Sequence, residues 1–386
     1  MSAIVYPDSA RSLLGVPNSL LAHFGAPPAH ETLPELDRAL SGRKKVAWIL
    51  LDGLGSAHLR AHLPESAFLR RRTIATVTSV FPPTTAAATA SCYSGLNPIE
   101  HGWLGWHLLF KECGLDVTAF TSEGFYTGRR VSGPPPAPRA LEYTTIFQRI
   151  RAANPSAYLA ALSPTPAMFE RGASETIRYR ELEQGLSRLR TIDAMDAPAL
   201  SILYFQQPDT IQHASGTDSP EARRMYRDLD QKLAAIAARL KDTVLIVSSD
   251  HGLTNCPEAV DLFQMPDLME TLILPPSMES RAAAMFVHPH RLRDFERIAA
   301  ERLPDFIWAP RERARELLGS GGAHPRIDDF IGSGLLIATG GRAIECNLPN
   351  QPPHGEIRAR HSGLTEEEML VDVIVCDCGK DESNAV

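Results

Sequence analysis

Asp52, Thr85, Asp209, His213, Asp250, His251 and His361 are the side chains of this sequence whose types and surroundings suit chemistry. Carboxylates and imidazoles in mixture are ligands for zinc or manganese, and seven such groups suffice for two metal ions rather than one. The His-rich set favours zinc, a borderline-soft ion. Taken singly, the spacing of Asp209 and His213 in PDTIQH or the Asp250-His251 pair in SDHG carries little weight, because such pairs are common. The informative feature is that several of these groups sit at the ends of strand-like runs.

Those runs are VAWILL (46–51), ahead of Asp52-Gly53; LSILYF (200–205), ahead of QQPD; TVLIVSS (243–249), ahead of Asp250-His251; and MLVDVIV (369–375), shortly after His361. Continuous apolar strands suit a sheet covered on both faces, usually a parallel one. Between the second and third runs, SPEARRMYRDLDQKLAAIAARLKD predicts a helix, with Ser219 as N-cap, Pro220 at the first helical position, and Leu229, Leu233, Ile236 and Leu240 along one stripe. The resulting β-α-β crossover brings the loops of Asp209 and Asp250 to one sheet edge, the carboxyl edge where ligands bind in open α/β folds. Asp52 follows its own strand to the same place.

The 386 residues carry 39 Lys plus Arg against 46 Asp plus Glu, a net charge of −7. No overall basic field exists to recruit a nucleic-acid polymer or an anionic membrane. The apolar runs fall far short of the ~20 residues that span a bilayer. MSAIVYPDSARSLLGV lacks a basic start and a continuous apolar segment, so no signal peptide is expected and the cytoplasm is the expected compartment. Six scattered cysteines, with no CxxC pair, read as buried thiols. GPPPAP (133–138), LPPS (274–277) and GSGGAHP (319–325) are expected to be loops where inserted segments enter or leave a core.

DG after an apolar strand, FPPTT followed by GLNPIEHG, PDTIQHASG, SDHG and HSGLTEEE occur in this order from residue 46 to about 375. Together they resemble the alkaline phosphatase superfamily, in particular its type I phosphodiesterase/nucleotide pyrophosphatase branch. The last motif also resembles that of phosphonoacetate hydrolase and cofactor-independent phosphoglycerate mutase, with Ser362 in place of a glycine. The resemblance implies a single α/β domain over 1–386: a mainly parallel central sheet flanked by helices, plus cap insertions at about 110–195 and 256–355. It implies that Asp209, His213 and His361 hold one zinc, that Asp52, Asp250 and His251 hold the other, and that Thr85 touches the second zinc as nucleophile. The expected activity is hydrolysis of small phosphate esters through a phosphothreonine. Phosphonate hydrolysis, phosphomutase chemistry with the same metal pair, or a binding protein that has lost catalysis are the alternatives.

Pro82 and Pro83 stiffen a turn, and the small residues 86–91 predict a helix ending near Gly95. A threonine at its start sits where free N–H groups and the positive dipole end favour a phosphate. Taken alone, Thr85 reads better as an N-cap threonine, and only the set of metal-ligating residues reverses that reading. His101 reads as structural, His354 as a competing ligand, and the other histidines as core or surface residues. Cys92 is followed by YSG rather than the CxPxR of sulfatases. HGWLGW places Trp106 where the resembled branch carries an asparagine whose amide binds a phosphoryl oxygen. Substrate choice is expected from the insertions, through Trp106, Phe125, Tyr126 and Trp308 or through Arg129, Arg130, Arg281, Arg358 and Arg360.

Overall fold

The computed structural model describes residues 3–165, 168–348 and 356–379. Its centre is a seven-stranded sheet of β1 (Lys45–Leu51), β2 (Thr73–Thr78), β3 (Tyr158–Ser163), β4 (Glu175–Arg178), β5 (Ala199–Phe205), β6 (Thr243–Ser249) and β7 (Leu370–Asp377), in the order β2-β7-β6-β1-β5-β3-β4. All seven residues of β1 are buried because both faces are covered. Val46, Trp48 and Leu50 enter one apolar cluster, and Ala47, Ile49 and Leu51 enter another on the opposite face. At roughly 25 cal/mol per Å² of apolar surface, this two-sided burial is the main force holding the sheet.

β1 runs parallel to β5 and β6 in flush register, with Leu51 beside Phe205 on one side and Ser249 on the other. Three strands therefore end on one line, and the residues that follow them share one rim. β7 runs antiparallel to both its neighbours, a direction that a continuous apolar run cannot reveal. Because it is reversed, the start of β7 lies at that same rim and brings His361 with it.

α1 (Thr85–Ser94) ends on Gly95 at φ +72, a left-handed cap that suits glycine. α2 (Asp209–Ser215) precedes α3 (Pro220–Ala237), where Ser219 accepts a capping bond from the Ala222 N–H, as the sequence predicts. A second, six-stranded sheet takes strands 306–310, 334–338, 282–287 and 272–278 from the expected second insertion, and adds 107–110 and 115–118. Within 110–195, β3 and β4 belong instead to the central sheet. LPPS is not a loop: it lies in strand Leu272–Met278, which tolerates its two prolines through register shifts. Among the described residues no helix is long and apolar enough to cross a membrane.

Candidate active site

Asp52 stands at the end of β1, its N–H donating to Phe205 O and its carbonyl accepting the Asp209 N–H, both at 2.9 Å. The close approach needs Gly53: at φ +74, a Cβ there would come within 2.8 Å of Asp209 Cα. Asp209 opens α2, and the helical i, i+4 spacing sets His213 Nε2 at 3.1 Å from its Oδ1. His213 Nδ1–H donates to Ala359 O at 2.6 Å, so Nε2 is the ring nitrogen that faces Asp209. His361 Nε2 lies 4.0 Å from the same Asp209 oxygen.

On the other side, Asp250 Oδ1 accepts from the N–H groups of Gly53 (3.2 Å) and His251 (3.0 Å). His251 Nε2 is 3.3 Å from Asp52 Oδ1 and 3.5 Å from Asp250 Oδ2. Thr85, the first residue of α1, directs Oγ1 to within 3.4 Å of both Asp52 oxygens and 3.2 Å of His251 Nε2. All seven expected side chains are thus gathered at the carboxyl edge of β1, β5 and β6. His354 lies outside the described residues.

Among the described residues, two groups have ligand atoms close enough to hold a metal ion: Asp209, His213 and His361, and Asp52, Asp209 and His251. Asp209 belongs to both, and in the second group it stands where the sequence reading expects Asp250, whose Oδ2 lies 3.5 Å from His251 Nε2. Burial, reinforced by the charges of Asp250 and Asp209, raises the Asp52 carboxyl well above its usual range, and burial pushes Asp250 up to about 7. Burial and then the neighbouring His251 and His213 drive His361 well down. Asp250 Oδ2 and Asp209 Oδ1 are buried without hydrogen-bond partners among the described residues. Crowded carboxylates, bare oxygens and the ring nitrogens of His213, His251 and His361 form a donor set that divalent cations satisfy.

A profile of the family described as type I phosphodiesterase / nucleotide pyrophosphatase matches residues 46–303. The chain belongs to that family. It is 38% identical over 65 residues to human ectonucleotide pyrophosphatase/phosphodiesterase family member 5 and 39% identical over 61 residues to human family member 7. These stretches span 15% and 14% of this chain and only 14% and 13% of those relatives. Solved structures share the fold over most of the chain. Murine ectonucleotide pyrophosphatase/phosphodiesterase 5 aligns with a TM-score of 0.65 at 19% identity, covering 85% of this chain and 87% of that one. A threonine-to-alanine variant of it, described as inactive and in complex with AMP, aligns at 0.64 and 19%, covering 86% and 87%. Phosphonoacetate hydrolase from Sinorhizobium meliloti 1021, in complex with phosphonoformate, aligns at 0.65 and 18%, covering 86% and 90%.

In this member of the family a cavity of about 410 Å³ opens from Thr85 between the two sheets, walled by Trp106, His107, Phe125, Tyr126 and Arg360. His107 stacks on Phe125 with ring centroids 3.6 Å apart and pairs with Asp116 at 2.9 Å, although the sequence reads it as an ordinary core or surface histidine. Trp308 packs on Phe295 away from the cavity. Arg360 is the cavity's arginine and pairs with Glu345, while Arg358 faces a neighbouring hollow. Arg281 is committed elsewhere: Nε and Nη2 form a buried fork on Glu368, each at 2.7 Å. Glu368 also accepts the Gly363 N–H at 2.7 Å and the Thr365 hydroxyl at 2.6 Å, and so fixes the loop that carries His361.

Two residues of the site have no counterpart in the sequence reading. Tyr204 donates its hydroxyl to Asp52 Oδ2; its ring falls within an apolar strand and reads as core. Glu279, buried in the cavity wall, accepts from Thr84 Oγ1 and the Trp106 N–H. Burial raises its carboxyl above the usual value.

Proposed function

We propose that this protein is a two-metal hydrolase of small phosphorus esters, with Thr85 as nucleophile. The observation that carries the reading is the position of Thr85 Oγ1 at the start of α1, against Asp52 and His251. Asp209, His213 and His361 would hold one ion, and Asp52, His251 and Asp250 the other, with the Asp209 carboxylate, which lies within reach of both groups, shared between them. Zinc, or manganese in its place, would supply Lewis acidity toward phosphoryl oxygen and lower the pKa of a nearby hydroxyl.

The chain's own contribution is orientation and charge complementarity. β1 and α1 hold the alcohol and the carboxylates on rigid elements, and the first-turn amides of α1 face the phosphoryl oxygens with the positive end of the helix dipole. Thr85 Oγ1, having released its proton to solvent, forms the new P–O bond as the leaving group departs with its electron pair and takes up a proton from water. Water then hydrolyses the phosphothreonine and restores the hydroxyl. Tyr204 and the Ala359 carbonyl orient Asp52 and His213. The aromatic wall suits an aryl leaving group or the base of a nucleotide. The family, and the murine neighbour whose inactive form is a threonine-to-alanine variant with AMP, support a nucleotide ester. The HSGLTEEE motif and the phosphonoacetate hydrolase neighbour favour phosphonate cleavage as the second reading.

Thr85→Ala is expected to abolish turnover of an activated aryl phosphate ester with metal content unchanged. Full activity in that variant overturns the nucleophile assignment. Product analysis across monoester, diester and phosphonate substrates separates the two readings.

A further inference from the structure

Thr84 is the N-cap residue of α1, with the extended backbone (φ −141, ψ 148) from which a threonine hydroxyl ordinarily accepts from the N–H two or three residues on. It makes no such bond. Its Oγ1 instead donates to Glu279 Oε1 at 2.6 Å. That same oxygen accepts the Trp106 N–H at 2.7 Å, so the hydroxyl and the peptide are clamped on one acceptor from the second sheet.

The clamp is built at some conformational cost. Met278, immediately before Glu279, lies at φ +79, where residues with a Cβ are rarely found. Gly105, immediately before Trp106, lets its chain pass so near that a Cβ would come within 2.8 Å of Met278 O. The bond to Glu279 fixes the Thr84 hydroxyl in a rotamer turned toward the second sheet, and in that rotamer its lone pairs meet no helix N–H.

We infer that Glu279 is a positioning residue that holds the Thr84 hydroxyl away from α1, leaving the first-turn amides free for the phosphoryl oxygens of the substrate. This rests on the reading of Thr85 as nucleophile at the start of that helix. Without the carboxyl, the Thr84 hydroxyl is free to swing onto the amides and cap the helix, which favours the resting helix and withdraws a donor from the transition state.

The test uses the full-length, metal-loaded protein and follows kcat, KM and inhibition by inorganic phosphate, with thermal melts to verify folding. Glu279→Ala, or Glu279→Met, which keeps the side-chain length, is expected to lower kcat about 100-fold, the lower end of the range for loss of an oxyanion donor, and to weaken phosphate inhibition about 10-fold. Glu279→Gln keeps an acceptor and stays within about threefold of wild type. The deciding variant adds Thr84→Val, which has no hydroxyl to cap with. It is expected to recover about 10-fold or more of the activity and phosphate binding lost in the Glu279 single variant.

A double variant as slow as the single one, or slower, overturns the inference, as does failure of both Glu279→Ala and Glu279→Met to fold. Thr85→Ala run in parallel separates the two claims. If it turns over like wild type, the nucleophile reading and this inference fall together; if it is inactive and the double variant does not recover, only this inference falls.

Discussion

The backbone N–H of Asp209 donates to the carbonyl oxygen of Asp52 across 2.9 Å, joining the two candidate metal groups by main chain as well as through the Asp209 carboxylate they share. Asp209→Asn should therefore weaken metal retention at both groups, whereas His213→Gln should empty mainly one. Elemental analysis after dialysis checks this. Two full equivalents of metal in Asp209→Asn would show that the carboxylate is not shared.

Tyr204→Phe removes a hydroxyl and leaves the ring in place. The hydroxyl donates to Asp52 Oδ2, the oxygen not aimed at His251 Nε2. Groups that orient a ligand are typically worth 10- to 100-fold in metal affinity, and a loss of about that size is expected here at the Asp52 group. Competition with a chromogenic chelator measures it, and unchanged affinity would assign the hydroxyl to packing alone.

Asp52, Asp209 and Asp250 were legible in the sequence because each ends or follows an apolar strand, and the crossover rule then forces such ends to one edge. His361 was legible through its motif, although only the reversed direction of β7 explains how a residue preceding a strand reaches an edge where other strands finish. Glu279 was not legible for two reasons. Its partner Thr84 is 195 residues away, and the prolines before it resemble a loop although the backbone is an irregular strand. Tyr204 and His107 were missed because aromatic rings in strands read as core, and a hydroxyl or ring nitrogen turned toward a cavity leaves no periodic trace.

Ser362 occupies φ +92, where a Cβ is crowded against the backbone. A glycine at this place in the resembled motif has a physical reason. Ser362→Gly is expected to stabilise the fold by about 1 kcal/mol despite losing the hydroxyl contact with His361. Ser362→Ala, which keeps the Cβ and loses the same contact, should show no gain. Chemical denaturation of both variants separates backbone strain from the hydrogen bond, and equal effects of the two would place the strain elsewhere.

His101 is buried behind α1, and its neighbours dictate its protonation. The Trp103 N–H donates to Nδ1 at 3.1 Å, so Nδ1 must carry a lone pair, and Nε2–H is left to donate to Ser91 Oγ at 3.0 Å. A second proton on Nδ1 would oppose that N–H, and burial, with a smaller contribution from His324, lowers the ring to about 3 from the ordinary 6.5. The unfolded chain therefore binds a proton that the folded one refuses. Stability from this group is complete above about pH 6.5 and is lost as pH falls toward 3, with a slope approaching ~1.4 kcal/mol per pH unit. His101→Gln presents an acceptor and a donor without a titrating ring, so its melting temperature should fall less than that of wild type between about pH 6.5 and 4.5. Parallel acid profiles for the two proteins would mean that the imidazole is relieved by local opening before it is protonated, and that the packing around Ser91 and Trp103 is looser than these distances require.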